Sequence, residues 1–365
     1  MQGRIRRLVI FCSVVSLVAV ICYSALLYLW RQPLHWSKAS LIVRPGMGQS
    51  ALSYRVARLN DHYPLWLTRL LIKAMSNSHR LHYGEYSLKA DLSLNQLVNH
   101  IDQQTGMVQH QLTLIEGWTF NQVKQSLLAN NTLRHVDLNV PDKTLMTTLG
   151  DPATNPEGQF YPDSYRYVWG NSSLKILQQS HALMQQVLAE EWADRVSGLL
   201  YSSPYQALIV ASLIEVETPT KSERPLVAGV ILQRLKQGMR LQIDPTVLYG
   251  LGKPYGAPIT KKDLATMTPY NTYRHSGLPP TPIDMPSRSS IHAAMHPVFK
   301  GYLYYVSKGD GTHTFSKTYA EHQQGVQRYR RFEKSLQQQP SQAAFNQRLL
   351  SFDWHWFMMH GIQWI

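Results

Sequence analysis

Cysteine is nearly absent: of 365 residues only Cys12 and Cys22 carry a thiol. Both fall in one apolar stretch near the N-terminus, so the rest of the chain has neither a disulfide framework nor a thiolate metal site. Acidic residues are scarce as well, 23 Asp and Glu against 36 Lys and Arg, which gives a formal charge of +13 and a pI near 9.6. That surplus calls for an anionic partner: nucleic acid, lipid headgroups, or the carboxylates and teichoic-type polymers of a cell wall. Zinc-finger spacing, a Walker loop and any repeated Lys/Arg and aromatic run are all missing, which argues against nucleic acid.

Long hydrophobic runs are confined to one place. Arg4, Arg6 and Arg7 precede an uncharged stretch from Leu8 to Trp30, about 23 residues, enough to cross a bilayer with some tilt. Positive charge on the short flank holds residues 1–7 in the cytoplasm and sends the remainder outward. A cleaved signal peptide is the alternative, but the core is longer than an ordinary signal core and no small-x-small site follows it. We expect a single-pass anchor over 8–30 and an exported remainder long enough for two domains.

The exported part holds one helix that is apolar almost all round. Between Pro204 and Pro219 run Ala207, Leu208, Ile209, Val210, Ala211, Leu213 and Ile214, with Glu215 and Glu217 in the last turn. Such a helix is buried. Ser202, Ser203 and Pro204 mark its start, and Pro219 disfavours helix at Thr218. A carboxyl at that end is desolvated and faces the negative pole of the helix dipole, and both effects favour its protonated form. This is how a glutamate becomes a general acid near neutral pH. Two residues apart on a helix, the carboxylates point about 200° apart, so only one faces a given cleft.

Downstream, Ser222 is expected to cap a second helix through Leu226, Val227, Val230, Ile231 and Leu235, closed by Gly238. Then comes Met239-Arg240-Leu241-Gln242-Ile243-Asp244-Pro245-Thr246-Val247. Together with Glu215-Val216-Glu217-Thr218, Ser222-Glu223-Arg224-Pro225 and Gln233-Arg234-Leu235, this order resembles the YceG-like family of endolytic murein transglycosylases. The resemblance extends upstream to Glu116-Gly117 and Glu157-Gly158, and downstream through Tyr270-Asn271-Thr272-Tyr273, Gly277-Leu278-Pro279-Pro280 and Tyr302-Leu303-Tyr304 to His313-Thr314-Phe315. It covers roughly residues 40 to 335.

The resemblance implies an α+β fold: after the transmembrane helix, a small LysM-like α/β module over 37–111, then a mixed α+β lytic transglycosylase catalytic domain over 112–338. Residues themselves suggest a strand at Leu41 to Val43, a helix capped by Ser50, a strand from Tyr83 to Leu88 and a helix capped near Ser93. A helix from about Leu174 to Val196 and a β-hairpin over Tyr302 to Val306 and Thr312 to Ser316 follow. The segment Tyr255 to Pro286 looks too broken for regular structure and too long for an idle connection. The aromatic-rich stretch 339–365 departs from the family pattern and has no assigned role.

For function, the resemblance implies cleavage of the bond between N-acetylmuramic acid and N-acetylglucosamine in nascent glycan strands, with 1,6-anhydro ends and a role in ending strand elongation. It places the catalytic Glu directly before Ser or Thr, which favours Glu217; Glu215 is the alternative. The glutamate that is not the acid is expected to hold neighbouring backbone or a cation such as Arg240. Candidate substrate-binding residues are Gln242, Asp244, Tyr270, Asn271, Tyr273 and His313: aromatic faces for stacking on pyranose rings, amides for hydroxyl and acetamido groups. Tyr270, Asn271 and Tyr273 also have a purely structural reading as turn-formers and packing groups, and His313 as a satisfied histidine. Neither metal nor organic cofactor is implied. The expected partners are peptidoglycan strands, the bacterial inner membrane and wall synthases, with no nucleic acid. A catalytically inactive wall-binding or division scaffold would carry much of the same sequence.

Overall fold

The computed structural model describes residues 2–76, 81–135, 138, 140–152 and 155–337. The tail expected at 339–365 lies outside them. The chain divides into two compact units, the first formed by 1–112 with 131–134 and 166–172, the second by the remainder.

The first unit opens with α1 (Gln2–Arg31). Its residues from Gly3 to Arg31 are long and apolar enough to cross a membrane, and the helix is exposed over most of that length. Only its last turn is packed: Trp30 is buried and the Tyr63 hydroxyl donates to Leu29 O at 2.8 Å. Strand β1 (Ser40–Val43) is followed by α2 (Gln49–Leu59) and α3 (Leu65–Met75), then β2 (Gly84–Ser87) and α4 (Leu94–Gln103). The two strands are antiparallel, Leu41 opposite Tyr86 and Val43 opposite Gly84. Period-two alternation places Leu41, Val43 and Tyr86 on the inner face, against Leu52, Val56, Leu71, Leu94, Leu97 and Ile101. Ser93 caps α4 as expected, in a reciprocal capping box with Gln96. Ser50 does not cap α2, which begins at Gln49 after Gly48 with no side-chain cap.

The second unit is mostly helical. Strands β3 (Gln109–Thr113) and β4 (Ser164–Val168), whose residues 109–112 and 166–168 belong to the first unit, pair with each other; in the second unit α5 (Phe120–Leu128), α6 (Asp142–Thr148) and α7 (Ser173–Ala193) lead to α8 (Pro204–Glu217). Every residue of α8 from Ala207 to Val216 is buried. Its start needs no tertiary support: Ser203 accepts from Gln206 N and Pro204 sits in the first turn. At the other end Thr218 has extended backbone and closes the helix. Around α8 pack α7, α9 (Arg224–Lys236) and α12 (Arg288–Met295), with a shared core of Leu208, Ala211, Ile214, Val227, Ile231 and Ile291. Beyond α9 come α10 (Asp244–Gly250), α11 (Lys261–Ala265), the hairpin β5 (Tyr304–Ser307) and β6 (His313–Ser316), and α13 (Tyr319–Gln337).

Two expectations need correction here. The residue before α9 is Glu223, without a side-chain cap, so Ser222 does not hold that position. The Tyr255 to Pro286 segment does contain one regular turn of structure, α11, because Thr260 and Asp263 form a capping box around it. Gly238 closes α9 as expected, with φ +65°.

Gly229 supports a prediction. In the middle of α9, alanine is worth about 1 kcal/mol over glycine by helix propensity. A Cβ there would sit 2.2 Å from the Val298 carbonyl oxygen, a backbone atom held by the hydrogen bond from Val298 N to Pro225 O. Gly229→Ala is therefore expected to destabilise, by about 1 to 3 kcal/mol, read as a lower urea midpoint of the detergent-solubilised chain. A raised midpoint would show that propensity outweighs the close approach.

Candidate active site

The two glutamates at the end of α8 point to different surroundings. Glu215 is 4% exposed and faces α9 and α12. Arg224 grips it with two guanidinium nitrogens, Nη2 to Oε1 at 2.9 Å and Nη1 to Oε2 at 3.2 Å. Ser287, the cap of α12, adds its backbone N at 2.9 Å and its hydroxyl at 2.6 Å to Oε2. Four donor contacts from two residues occupy both oxygens of this carboxylate and tie it to α9 and α12. The cation that takes Glu215 is thus Arg224 rather than Arg240, whose Nη1 donates to Tyr273 O at 3.1 Å.

Glu217 faces the hairpin. Its Oε2 accepts from the Tyr305 hydroxyl at 2.6 Å, and part of the residue still reaches the surface. Burial of the carboxyl is the strongest influence on its proton affinity and raises it; the Tyr305 hydrogen bond and the charges of His313 and Arg234 oppose that without cancelling it. The group therefore holds its proton above the usual carboxylate range, and the same three neighbours steady the anion once the proton has left.

The hairpin explains why Tyr305 and His313 arrive together. Tyr305 lies opposite Phe315 and Ser307 opposite His313, so 305, 307, 313 and 315 share one face. The Tyr305 and His313 rings meet edge to face with centroids 5.6 Å apart. His313 is anchored from behind by Glu223, which accepts from His313 N at 2.9 Å and bonds Nδ1 at 2.7 Å. Burial pushes the Glu223 carboxyl up, but these two bonds outweigh it and bring it below its ordinary value. Arg234, 4% exposed, donates to Leu303 O and Leu241 O and so ties α9 to the hairpin and to the 239–243 segment.

Asp244 belongs to the same neighbourhood. Its Oδ1 accepts from the Tyr273 hydroxyl at 2.5 Å, and burial pushes its carboxyl to about 7, with the Tyr273 bond lowering it and the charge of Glu217 raising it. Gln242, two residues earlier, sits at φ +52° between buried Leu241 and Ile243, a left-handed backbone that costs a non-glycine residue of order 1 kcal/mol and that surroundings must impose. Its N donates to Thr272 O.

The remaining candidates separate. Tyr273 is 8% exposed, and its hydroxyl serves Asp244. Tyr270 packs edge to face on Tyr249 and bonds Thr281. Asn271 is fully buried, its amide donating to Leu264 O and Thr266 O while its carbonyl accepts from Tyr273 N. It braces the loop from inside, which corrects the expectation that it offers an amide to a sugar. The loop thus shapes the site through Tyr273 and Thr272 rather than through Asn271.

Residues not singled out from sequence complete the arrangement. Tyr305, Arg234 and Glu223 surround Glu217 and His313; the register that sets Tyr305 opposite Phe315 puts it on the face that presents His313. Glu157, in the Glu157-Gly158 pair, accepts from Phe120 N and from the Tyr249 hydroxyl, and burial raises its carboxyl to about 8. On the Glu215 side of α8 lies a cleft of about 490 Å³ that includes Glu116, Ser287 and His292. Among the described residues, the one cluster of three metal-ligating side chains is at Glu191, His292 and His296.

The YceG-like family model matches residues 43–328 of this sequence. The chain belongs to the YceG-like family. Among its relatives, the endolytic murein transglycosylase of Bacillus subtilis is 30% identical over 267 residues, 67% of this chain and 72% of that protein. That of Streptococcus pneumoniae strain D39 is 27% identical over 61% of this chain but only 46% of its own length, so the chain spans about half of the pneumococcal relative. A crystal structure of a putative YceG-like protein from Listeria monocytogenes covers 78% of this chain at 27% identity, with a TM-score of 0.49.

Removing the Tyr305 hydroxyl takes away a hydrogen bond that favours the ionised form of Glu217. Tyr305→Phe is therefore expected to raise the proton affinity of Glu217 further and move the alkaline limb of the activity profile up by about one pH unit. An alkaline limb that stays in place, measured as kcat/KM for glycan cleavage against pH, would detach Tyr305 from the titrating group.

Proposed function

We propose that this chain is a membrane-anchored endolytic lytic transglycosylase of peptidoglycan, with Glu217 as its one acid and base. The observation that carries the reading is the contrast at the end of α8: Glu215 is neutralised by Arg224, while Glu217 is desolvated, raised in proton affinity and, among the described residues, bonded only by a tyrosine hydroxyl.

Glu217 gives its proton to the glycosidic oxygen between N-acetylmuramic acid and N-acetylglucosamine as the bond to the anomeric carbon breaks. Positive charge develops at that carbon, shielded by the acetamido oxygen of the same sugar. The muramic 6-hydroxyl then attacks the carbon, its proton passes to the Glu217 carboxylate, and a 1,6-anhydro ring closes. No water enters, and the enzyme returns to its starting protonation. The nucleophile is part of the substrate, which supplies a large effective concentration. The one residue switches from acid to base, so a second catalytic carboxylate of the kind glycoside hydrolases need is not required. Asp244, Gln242, Tyr270, Tyr273 and His313 are assigned to shaping and lining the sugar site.

The exposed apolar stretch of α1 that follows Arg4, Arg6 and Arg7 supports an inner-membrane anchor with the N-terminus in the cytoplasm and the catalytic unit outside. An anchored enzyme reaches only glycan close to the bilayer, which suits a role in ending nascent strands beside the wall synthases. The unit around β1, β2 and α4 is assigned as the LysM-like module, a glycan contact or a spacer between anchor and catalytic unit.

Mass spectrometry of the ends released from uncrosslinked glycan strands tests the reaction class. The chain is expected to make internal cuts that leave 1,6-anhydro-muramic acid. Reducing ends formed with uptake of water would make it a hydrolase, and intact strands would favour a scaffold without turnover.

A further inference from the structure

Away from Glu217, α7 and α12 bring together a donor set that the proposed reaction does not use. Glu191 on α7 is 5% exposed. Its Oε1 accepts from Arg288 Nε at 2.7 Å and its Oε2 from His292 Nδ1 at 2.8 Å. His292 and His296 are four residues apart at the end of α12, so both imidazoles fall on one side, with ring centroids 4.1 Å apart. One ligand atom from each of Glu191, His292 and His296 lies within 4.8 Å of the other two.

We propose that Glu191, His292 and His296 bind a divalent cation of the zinc class, which clamps α7 to α12. Two imidazoles and one carboxylate make a borderline donor set that suits Zn²⁺ better than Mg²⁺ or Ca²⁺. Ligands on a tetrahedral zinc stand about 3.3 Å apart, so the His292 to Glu191 contact of 2.8 Å has to open by only half an ångström. The ion replaces the proton now held between those two atoms. Outer contacts that fix ligands are in place: Arg288 pins the far oxygen of Glu191, and His296 Nε2 is 3.0 Å from Asp194 O, the carbonyl partner that a metal-bound imidazole uses for its other nitrogen. Arg288 weakens the attraction of Glu191 for a cation, which places the affinity below that of a three-ligand site without a guanidinium. Glu191 and His292 both line the 490 Å³ cleft, so water or a ligand can complete the coordination. Because Ser287 at the start of α12 holds Glu215, the ion would brace the helix that braces α8.

The test is equilibrium dialysis of the untagged, detergent-solubilised full chain against Zn²⁺, with Tm followed in parallel. One ion per chain and a rise in Tm with zinc are expected. The double variant His292→Asn/His296→Asn should lose at least the roughly tenfold in affinity that removal of even an outer partner costs, together with the zinc-dependent rise. Binding well below one ion per chain, or binding unchanged in the double variant, would overturn the proposal. Should that variant not fold, Co²⁺ added to the unsubstituted chain decides: intense visible bands of a low-coordinate, imidazole-bound ion are expected, and the pale spectrum of the hydrated ion contradicts.

Discussion

The bidentate pair between Arg224 and Glu215 is the constraint on which the site depends. It joins the last turn of α8 to the first turn of α9, and through Ser287 to the first turn of α12. Burying two charges is costly in itself, and such a pair contributes chiefly by what happens when one partner is missing: an uncompensated charge in the interior. Arg224 is 3% exposed and also donates to Ser287 and Ser289, so three helices are oriented by one guanidinium. Once Glu215 is turned toward it, helix geometry turns Glu217 to the opposite side, toward the hairpin.

On that opposite side the charge balance is different. Arg234 is near enough to act on Glu217 electrostatically, yet its guanidinium is engaged by Leu303 O and Leu241 O, and among the described residues it forms no salt bridge with Glu217. Burial therefore prevails and raises the proton affinity of the carboxyl, while Tyr305 fixes which way it points. Asp244 repeats the arrangement with Tyr273. Two buried carboxyls are each capped by one tyrosine hydroxyl, burial raises the proton affinity of both, and the charge of Glu217 further disfavours ionisation of Asp244. For the acid and base role proposed for Glu217, this is a useful balance: the anion is disfavoured but not left without partners.

Much of this was legible in the residues. The run from Ala207 to Ile214, bracketed by Ser203-Pro204 and Pro219, defines α8 by composition and punctuation alone, because a buried helix has no polar face to confuse the reading. The divergence of Glu215 and Glu217 follows from 100° per residue. What did not follow was the partner: Arg224 and Arg240 are both downstream cations, and only the turn between α8 and α9 decides that Arg224 is within reach. Asn271 misled for a related reason. In a Pro- and Thr-rich loop an amide can serve a ligand or the loop's own carbonyls, and the second use wins where the loop crosses the interior, as full burial shows. Ser50 and Ser222 failed as caps because Gly48 and Glu223 precede their helices, and in the latter case the carboxylate already serves His313.

The most direct test compares Glu217→Gln with Glu215→Gln for glycan cleavage and for unfolding, in the same preparation. Glutamine keeps the shape of glutamate but exchanges no proton in this range. The account predicts that Glu217→Gln folds as the parent does and loses orders of magnitude in rate. Glu215→Gln should leave Arg224 without its counter-charge, lose about 3 kcal/mol of stability, and still cleave in the fraction that remains folded. A stable, inactive Glu215→Gln beside an active Glu217→Gln would contradict it.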